Sequence, residues 1–274
     1  TKQIKNQSKM MNPLSPKAMI SSMRRKVWMC DASDVQAFVH SAVAVANAPA
    51  ENFEFRDFFT ERATMDIDAS GMAHIHVSQM LLDDAPPVFE KLGMATTYKT
   101  LAAEIEGAQD MGAAGYMFHI NSPGGAVSGL AELGEMIDSI EEPTAAYCQG
   151  MACSAAYKIA SKADFILAGA SADVGNIGAI LSWADDSAFW ESMGIEWKAM
   201  TNEGADLKST FHTEPDADQL AFLQEGLNEM GAEFRESVEI GRANAGASLD
   251  DEVWRAGWYH GEKAESLGLI DGLG

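Results

Sequence analysis

The sequence predicts an α/β fold in which helices cover a largely parallel β-sheet. From about residue 70, short apolar segments alternate with longer amphipathic segments, and glycine or polar residues separate them. Parallel strands need crossover connections of this length, usually helices, and such connections are right-handed. With 274 residues and 47% hydrophobic residues, the chain can bury the core of one large domain.

Three parts follow one another along the chain. Residues 1–30 are predicted to be a flexible basic arm. Residues 31–69 are predicted to be a helical and aromatic segment that packs on the body, and residues 70–274 to be the main domain. In the second part, Asp31 or Ser33 caps a helix that ends near residue 47.

Charge is distributed unevenly between the arm and the body. Residues 1–26 contain seven Lys and Arg and no Asp or Glu, whereas the whole chain has a net charge of −22. Such asymmetry is typical of a solvated tail or of an arm that docks on an acidic partner. Because the acidic body would repel nucleic acid, we expect any nucleic-acid contact to be confined to the arm.

The predicted elements of the main domain rest on apolar periodicity. In the first strand Ala73, Ile75 and Val77 alternate on one face, and in the longest helix apolar residues recur at spacings of three and four. That helical stripe is predicted to be core or a subunit interface. The elements are strand Met72–Met80, helix Tyr98–Met111, strand Gly115–Ile120, helix Gly124–Ile140, strand Thr144–Gln149, helix Cys153–Lys162, strands Phe165–Ala168, Ile177–Ser182 and about Ile195–Met200, and helices Asp216–Ala243 and Leu249–Ala256.

Composition argues against several kinds of site and location. The three cysteines cannot form a disulfide framework, and neither a CxxC pair nor a Cys/His cluster predicts a metal site. Free thiols are typical of a reducing compartment, so we expect a cytoplasmic protein. No apolar segment is long enough to span a bilayer and no secretory signal follows the basic N-terminus, so we expect no membrane association.

Two motifs carry residues suited to chemistry at a carbonyl group. In residues 119–125 (HINSPGG), Gly124 and Gly125 can direct backbone N–H groups into a cleft, and the helix predicted to begin there favours negative charge. That arrangement suits an oxyanion hole, although a diglycine turn can also be only structural. In residues 150–157 (GMACSAAY), a glycine turn delivers Ser154 to the first turn of a helix among small residues. A helix-capping serine is the alternative interpretation.

A nucleophilic serine requires a general base, and none of the six histidines has a sequence setting that pairs it with Ser154. A lysine can serve if partial burial lowers its pKa. Lys208 lies in a loop that can reach the serine, whereas Lys158 shares the serine's helix and would have to fold back. The residues alone leave the choice of base open. The lysines considered are Lys158, Lys162, Lys198 and Lys208.

These segments resemble the signal peptide peptidase A family (S49) of serine–lysine peptidases, which has a phage branch of head-maturation proteases and minor-capsid-protein-C-like proteins. The resemblance covers about residues 70–274 and implies a crotonase/Clp-like fold of repeated ββα units. It also implies Ser154 as nucleophile, Lys208 as general base, and Gly124 and Gly125 lining the oxyanion hole. The matching segments, in order, are INSPGGAVSGL, GMACSAAYKIASKAD, SADVGNIGAI, GADLK and the closing YHGEKAESLGLID.

Two positions near the proposed dyad need separate comment. The family usually has GSIG where this chain has GNIG, so Asn176 stands in place of a serine that orients the lysine. Its side-chain carbonyl oxygen can take that role, or the change can mark a weakened enzyme. Cys153, next to Ser154, is predicted to be a buried thiol directed away from the serine. The backbone N–H of Ala155 is predicted to join the oxyanion hole.

The resemblance implies a serine endopeptidase that needs no metal or organic cofactor. Because no membrane anchor is predicted, we expect a homo-oligomeric phage prohead protease that cleaves scaffold, portal or capsid proteins in the host cytoplasm or prohead. Residues 41–50, rich in small residues, are predicted to be a packed helix, with a self-processing site as the alternative. Other readings are a non-enzymatic head component, a membrane-independent signal-peptide-peptidase-like protease of a host, a crotonase-type enzyme of coenzyme A thioesters, and a Clp-type Ser-His-Asp protease.

Overall fold

The computed structural model describes residues 28–47, 64–182, 187–196, 198, 200–208 and 215–274. Most of the predicted basic arm and the aromatic segment at residues 53–59 lie outside these residues. The described strands are β1 (Trp28–Met29), β2 (Asp66–Ile67), β3 (Met72–Leu82), β4 (Ala95–Thr97), β5 (Gly115–Ala126), β6 (Thr144–Cys153), β7 (Phe165–Ala168), β8 (Asp173–Gly175), β9 (Trp258–Tyr259) and β10 (Gly272–Leu273). The described helices are α1 (Ala32–Asn47), α2 (Pro87–Lys91), α3 (Tyr98–Asp110), α4 (Leu130–Asp138), α5 (Ala155–Ala160), α6 (Ser187–Ser192), α7 (Ala217–Asn244) and α8 (Gly261–Ser266), with a 3₁₀ helix at Asp251–Arg255.

All described strands belong to one sheet, whose central path runs β10-β7-β6-β5-β3-β2. Strands β3, β5, β6 and β7 are mutually parallel, as are β10 with β7, β4 with β3 and β8 with β6. Only β1, β2 and β9 pair antiparallel among these strands. The predicted α/β fold with a largely parallel sheet is therefore confirmed.

The core lies on the face of the sheet that helices α3, α4 and α5 cover. Ala73, Ile75 and Val77 of β3 are buried, as their alternation predicted, and α3 buries Leu101 and Ile105 on the same side. The first turn of α3 is fixed by Thr97, whose hydroxyl accepts a hydrogen bond from the Thr100 N–H. A second cluster beneath α1 contains Val35, Phe38 and Ala42, and it confirms the predicted N-terminal helix.

The strand that carries the diglycine motif is longer than predicted. Strand β5 continues through Gly124 and Gly125 to Ala126, and the following helix begins only at Leu130. The prediction of a helix from Gly124 to Ile140 is wrong in its first turns, so a helix N-terminus does not back the glycines. The reason is tertiary: Gly125 pairs with Leu81 of β3, and a Cβ atom on Gly125 would overlap the Leu81 backbone.

Other predicted boundaries shift for similar reasons. Residues 177–182 do not form the predicted strand; Ile180 makes only an isolated bridge, and the strand of this region is β8. The predicted helix at residues 249–256 is a 3₁₀ helix. The described residues between 195 and 200 contain no strand, and residues 197 and 199 lie outside the described part. Strand β7 has the predicted bounds.

Helix α7 confirms the longest predicted helix, but only its second half is packed. Its start carries a capping box in which the Asp216 side chain accepts from the Gln219 N–H. Leu220 and Phe222 in the first half are exposed, whereas Phe234 and Val238 in the second half are fully buried. The described helices include none that is both long and apolar enough to cross a membrane.

An ion pair fastens the end of α7 to the C-terminal turn. Arg242 is 1% exposed, and its guanidinium donates to both carboxylate oxygens of Asp271, at 2.6 and 3.1 Å. Its Nε also donates to the Gly268 carbonyl at 2.9 Å. Asp271 accepts a further bond from the Ile166 N–H at 2.7 Å, so one carboxylate joins α7, β7 and the chain end.

Candidate active site

Ser154 occupies a strained turn between β6 and α5. It caps α5 with φ 56° and ψ −120°, a conformation that non-glycine residues rarely adopt. The turn is held by the Ser154 N–H, which donates to the Gly175 carbonyl at 2.7 Å, and by the Lys158 N–H, which donates to the Ser154 carbonyl at 2.9 Å. Backbone strain of this kind costs about 1–3 kcal/mol and clusters at active sites. A strained strand-to-helix turn is also how hydrolases present a nucleophilic serine.

The structure brings the diglycine strand next to this turn. Gly124 has φ +106°, and a Cβ atom there would lie 2.9 Å from the Cys153 carbonyl oxygen and 3.0 Å from the Ala155 nitrogen. The Ala155 N–H is in the first turn of α5 and therefore has no partner within its own helix. The Gly124 N–H donates to the Ser122 hydroxyl at 3.1 Å. The Ala155 N–H is thus a more available hydrogen-bond donor than the Gly124 N–H.

The hydroxyl of Ser154 is enclosed rather than open to solvent. The residue is 0% exposed, and its Oγ donates to the Gly178 carbonyl across a long 3.4 Å. A neutral hydrogen bond of that length contributes little, so it leaves the hydroxyl available to a base. The burial has another consequence: a substrate reaches this hydroxyl only after something that covers it moves.

Lys208, the predicted base, is exposed, and the hydrogen bonds of the described residues do not join its amine to Ser154. Its backbone closes a turn with Ala205, and the next described residue is Pro215. The structure therefore does not place the two members of the predicted dyad in contact. The other three lysines considered hold carboxylate partners. These pairs are Lys158–Glu233 at 2.6 Å, Lys162–Asp138 at 2.6 Å and Lys198–Glu196 at 3.1 Å.

Lys158, the alternative base, is directed from α5 onto α7. Its side chain is 3% exposed, whereas that of its partner Glu233 is 52% exposed, and its ammonium lies 5.9 Å from the centroid of the Phe234 ring. The ion pair therefore joins α5 to α7, and Lys158 serves to hold the two helices together in this structure.

This asymmetry predicts unequal effects on stability. Glu233→Ala leaves a buried ammonium without its partner and is expected to lower the free energy of unfolding by about 1–3 kcal/mol, between the values for exposed and buried pairs. Lys158→Met keeps the volume and removes the charge, so the expected loss is smaller. Urea denaturation measures both. Glu239→Ala, which breaks an exposed pair with Arg235 on the same helix, is the control and should cost less than about 0.5 kcal/mol. A larger loss for Lys158→Met than for Glu233→Ala would contradict this account.

Asn176, the predicted lysine-orienting residue, faces the N-terminal segment. Its amide nitrogen donates to the Asp31 carboxylate at 3.0 Å, and its backbone N–H donates to the Gly257 carbonyl at 2.8 Å. With φ 55° it is, like Ser154, strained. Its role toward Lys208 stays a prediction, whereas its bond to Asp31 was not expected from the sequence.

Cys153 is unsuited to replace Ser154 as the nucleophile. Burial is the main cause that raises the pKa of its thiol to about 12, and Asp173 adds to the effect. A thiol with that pKa is almost entirely protonated at neutral pH and therefore weakly nucleophilic. Its Sγ lies 3.5 Å from the Asp173 carbonyl, on the side of β8.

Three of the described histidines form a group on β3 and β5. His74 and His119 approach to 2.8 Å on neighbouring strands, and His76 stacks on His119. Burial is the main cause that lowers the pKa of His119. His212 lies outside the described residues. Among the described residues, no group of three or more His, Cys, Asp and Glu side chains has an arrangement that could hold a metal ion.

Comparison with known proteins settles the family. The sequence profile described as peptidase family S49 matches residues 137–274, half of the chain. The chain belongs to peptidase family S49. The profile of the Clp protease family matches residues 101–170, in agreement with the expected Clp-like fold.

Three curated proteins are similar to this S49 chain. A provisionally named protease of Methanocaldococcus jannaschii, MJ0651, is 26% identical over 66% of this chain and 58% of its own length. A provisionally named signal peptide peptidase SppA of Enterococcus faecium is 28% identical over 61% and 49%. The capsid assembly protease C of Escherichia phage lambda is 26% identical over 74% and 46%. The chain thus spans about half the length of the curated relatives it matches.

Two solved structures align with the S49 chain over 73% of its length. Both are mutants of a 1510-N membrane-bound stomatin-specific protease, and one is in complex with a substrate peptide. The two alignments cover 74% and 79% of the solved chains, with TM-scores of 0.43 and 0.41 and sequence identities of 14% and 13%.

Proposed function

We propose that this S49 chain is a serine endopeptidase with Ser154 as nucleophile and Lys208 as general base. The observation that carries the proposal is the strained backbone of Ser154 at the β6–α5 turn, with Gly124 and the Ala155 N–H beside it. Strain at a buried serine needs a reason, and an aimed nucleophile beside an anion-binding amide supplies one. Family membership supports the same activity.

In the proposed mechanism, neutral Lys208 takes the proton of the Ser154 hydroxyl as Oγ attacks the peptide carbonyl carbon. The Ala155 N–H, with help from the diglycine strand, stabilises the negative oxygen of the tetrahedral intermediate. The C–N bond then breaks, and the leaving amine takes the proton from the Lys208 ammonium. Water attacks the acyl ester with Lys208 again as base, which releases the acid and restores Ser154.

This mechanism requires Lys208 to move. Its side chain is exposed in the structure, so the loop that carries it has to close on Ser154 when a peptide binds. Closure would bring the amine within hydrogen-bond reach of the Ser154 hydroxyl, which a general base requires. Lys208 is favoured over the other three lysines because each of those is already paired with a carboxylate.

For the biological role, we propose maturation of a phage head. The relative from phage lambda is named as a capsid assembly protease and matches 74% of this chain. Scaffold, portal or capsid proteins in the host cytoplasm or prohead are the proposed substrates. The exposed apolar residues in the first half of α7, Leu220 and Phe222, are the proposed contact of a homo-oligomer.

A mass-spectrometric search for cleavage products tests the proposal. The purified chain is incubated with a denatured protein such as casein, and with candidate head proteins, in parallel with Ser154→Ala. We expect new termini only with the unmodified chain. Identical product patterns from both proteins would instead support a structural head component that keeps this fold without the activity, the second candidate that an exposed Lys208 and an enclosed Ser154 favour.

A further inference from the structure

A short segment of the chain's own N-terminal region lies in a gap beside the candidate active site. Trp28 and Met29 of β1 pair antiparallel with Ala126 and Gly125 of β5 on one side. On the other side, Trp28 exchanges two backbone hydrogen bonds with Ile180, at 3.0 and 2.9 Å. The segment therefore fills a space one strand wide between the diglycine strand and the stretch that follows β8.

The carbonyl group of Met29 faces β5 and lies next to Gly124, one of the proposed oxyanion-hole residues. Successive residues of a strand direct their backbone groups to opposite sides, so the groups of Met29 face β5 when those of Trp28 face Ile180. A Cβ atom on Gly124 would overlap the Met29 carbonyl oxygen, and the same atom would lie 3.0 Å from the Ala155 nitrogen. The Met29 oxygen and the Ala155 N–H thus border the same small space.

The segment is sealed into this position. Trp28, Met29 and Cys30 are 1%, 0% and 3% exposed, and Ser154 is 0% exposed. Asp31 closes the end of the segment by accepting the hydrogen bond of the strained Asn176. Trp28 belongs to an apolar cluster with Met80, Leu82 and Phe89, so the cleft accommodates a bulky apolar side chain.

We propose that residues 28–31 occupy the peptide-binding cleft as a resident strand, which keeps the chain latent until the segment is withdrawn. The inference rests on the proposed function, since a blocked cleft matters only if Ser154 acts on peptides. It also names the substrate class: extended peptides that pair antiparallel with Gly125, carry a bulky apolar residue where Trp28 lies, and place a carbonyl group beside Gly124, near the Ala155 N–H.

The resident strand sets the apparent affinity for any other peptide. A peptide binds only the fraction of molecules whose cleft is open, so its apparent dissociation constant rises in inverse proportion to that fraction. Changes that weaken β1 without touching β5, β6 or α5 should therefore increase peptide binding. This gain does not depend on catalysis.

A binding experiment in the Ser154→Ala background tests the proposal separately from the chemistry. The probe is a fluorescein-labelled peptide with the sequence of residues 25–33, in which serine replaces the cysteine, and anisotropy measures its binding. Adding Trp28→Pro removes both the N–H that donates to Ile180 and the buried indole, and is expected to lower the apparent dissociation constant at least about 10-fold. Adding Asp31→Ala removes only the bond to Asn176 and should give a smaller gain, about 3-fold.

Two controls define what would overturn the proposal. Arg242→Met loosens the contact of α7 with the chain end, which involves neither β1 nor the Lys158–Glu233 pair of α5, and should leave peptide binding unchanged; a peptide of scrambled sequence should not bind. If neither Trp28→Pro nor Asp31→Ala binds the peptide more tightly than Ser154→Ala alone, or if Arg242→Met gains as much, the resident strand is refuted. If Trp28→Pro gains binding but, with Ser154 present, hydrolyses no substrate, the resident strand stands and the peptidase proposal fails. Both proposals together predict at least about 10-fold faster hydrolysis by Trp28→Pro.

Discussion

Lys208→Arg is expected to lower the rate of peptide hydrolysis by at least about 10³-fold, because a general base is lost outright. An arginine keeps the positive charge and the length of the side chain, but its guanidinium does not give up a proton under physiological conditions. Lys208 is exposed, so the free energy of unfolding should change by less than about 0.5 kcal/mol. Initial rates on a fluorogenic protein substrate and urea denaturation measure the two quantities.

Two matched variants show whether the effect is specific to Lys208. Lys198→Arg alters an exposed lysine paired with Glu196 and should keep the rate within about twofold. Lys158→Met removes the amine nearest to Ser154 along the chain and should also keep most of the rate. If Lys158→Met abolishes hydrolysis and Lys208→Arg does not, the base comes from the serine's own helix and the dyad proposed above is wrong.

Asp271→Ala is expected to lower the free energy of unfolding by about 3–5 kcal/mol, the usual result of removing one partner from a buried ion pair. The substitution leaves the Arg242 guanidinium, 1% exposed, with only the Gly268 carbonyl as a recorded partner, and it also deprives the Ile166 N–H of its acceptor. The urea midpoint should fall while the slope of the transition stays constant.

Arg242→Met is the matched control for this ion pair. Methionine fills much of the space and adds no charge. Asp271 still accepts the hydrogen bond of the Ile166 N–H, and its side chain is 16% exposed. We therefore expect a smaller loss of stability than for Asp271→Ala. Equal losses from the two variants would mean that packing at Arg242, rather than the charge left behind, determines the cost.

Periodicity in the sequence was enough to predict the parallel sheet, β7 and most of α3 and α7, because each of these is set by local apolar spacing. It failed at β5, where serine, proline and two glycines look like a turn. There the close approach of Leu81 and the pairing with β1 extend the strand, and no local pattern encodes either contact. Residues 177–182 failed in the opposite sense, since apolar residues without a continuous neighbouring strand make only one bridge.

For the site, the sequence predicted that Ser154, Gly124 and Ala155 act together, and the structure places Gly124 beside the backbone that flanks Ser154. Their catalytic roles stay a prediction. The positive φ of Ser154 has no counterpart in the sequence. Neither has the bond between Asn176 and Asp31, which joins residues 145 positions apart. The proposed pairing of Ser154 with Lys208 rests on the family and on the carboxylate partners of the other three lysines, because among the residues that the structure describes no contact joins the two.

Helix α7 buries large apolar side chains only in its second half, and two glycines add to the difference between the halves. Gly226 and Gly231 lie where an added Cβ atom would meet no other atom, so neither glycine is required by packing. Each costs helix stability of about 1 kcal/mol relative to alanine. Fraying of the first half therefore costs little free energy in an isolated chain, whereas the buried side chains of Phe234 and Val238 keep the second half packed. Amide hydrogen exchange should accordingly slow down along the helix from Ala217 toward Asn244.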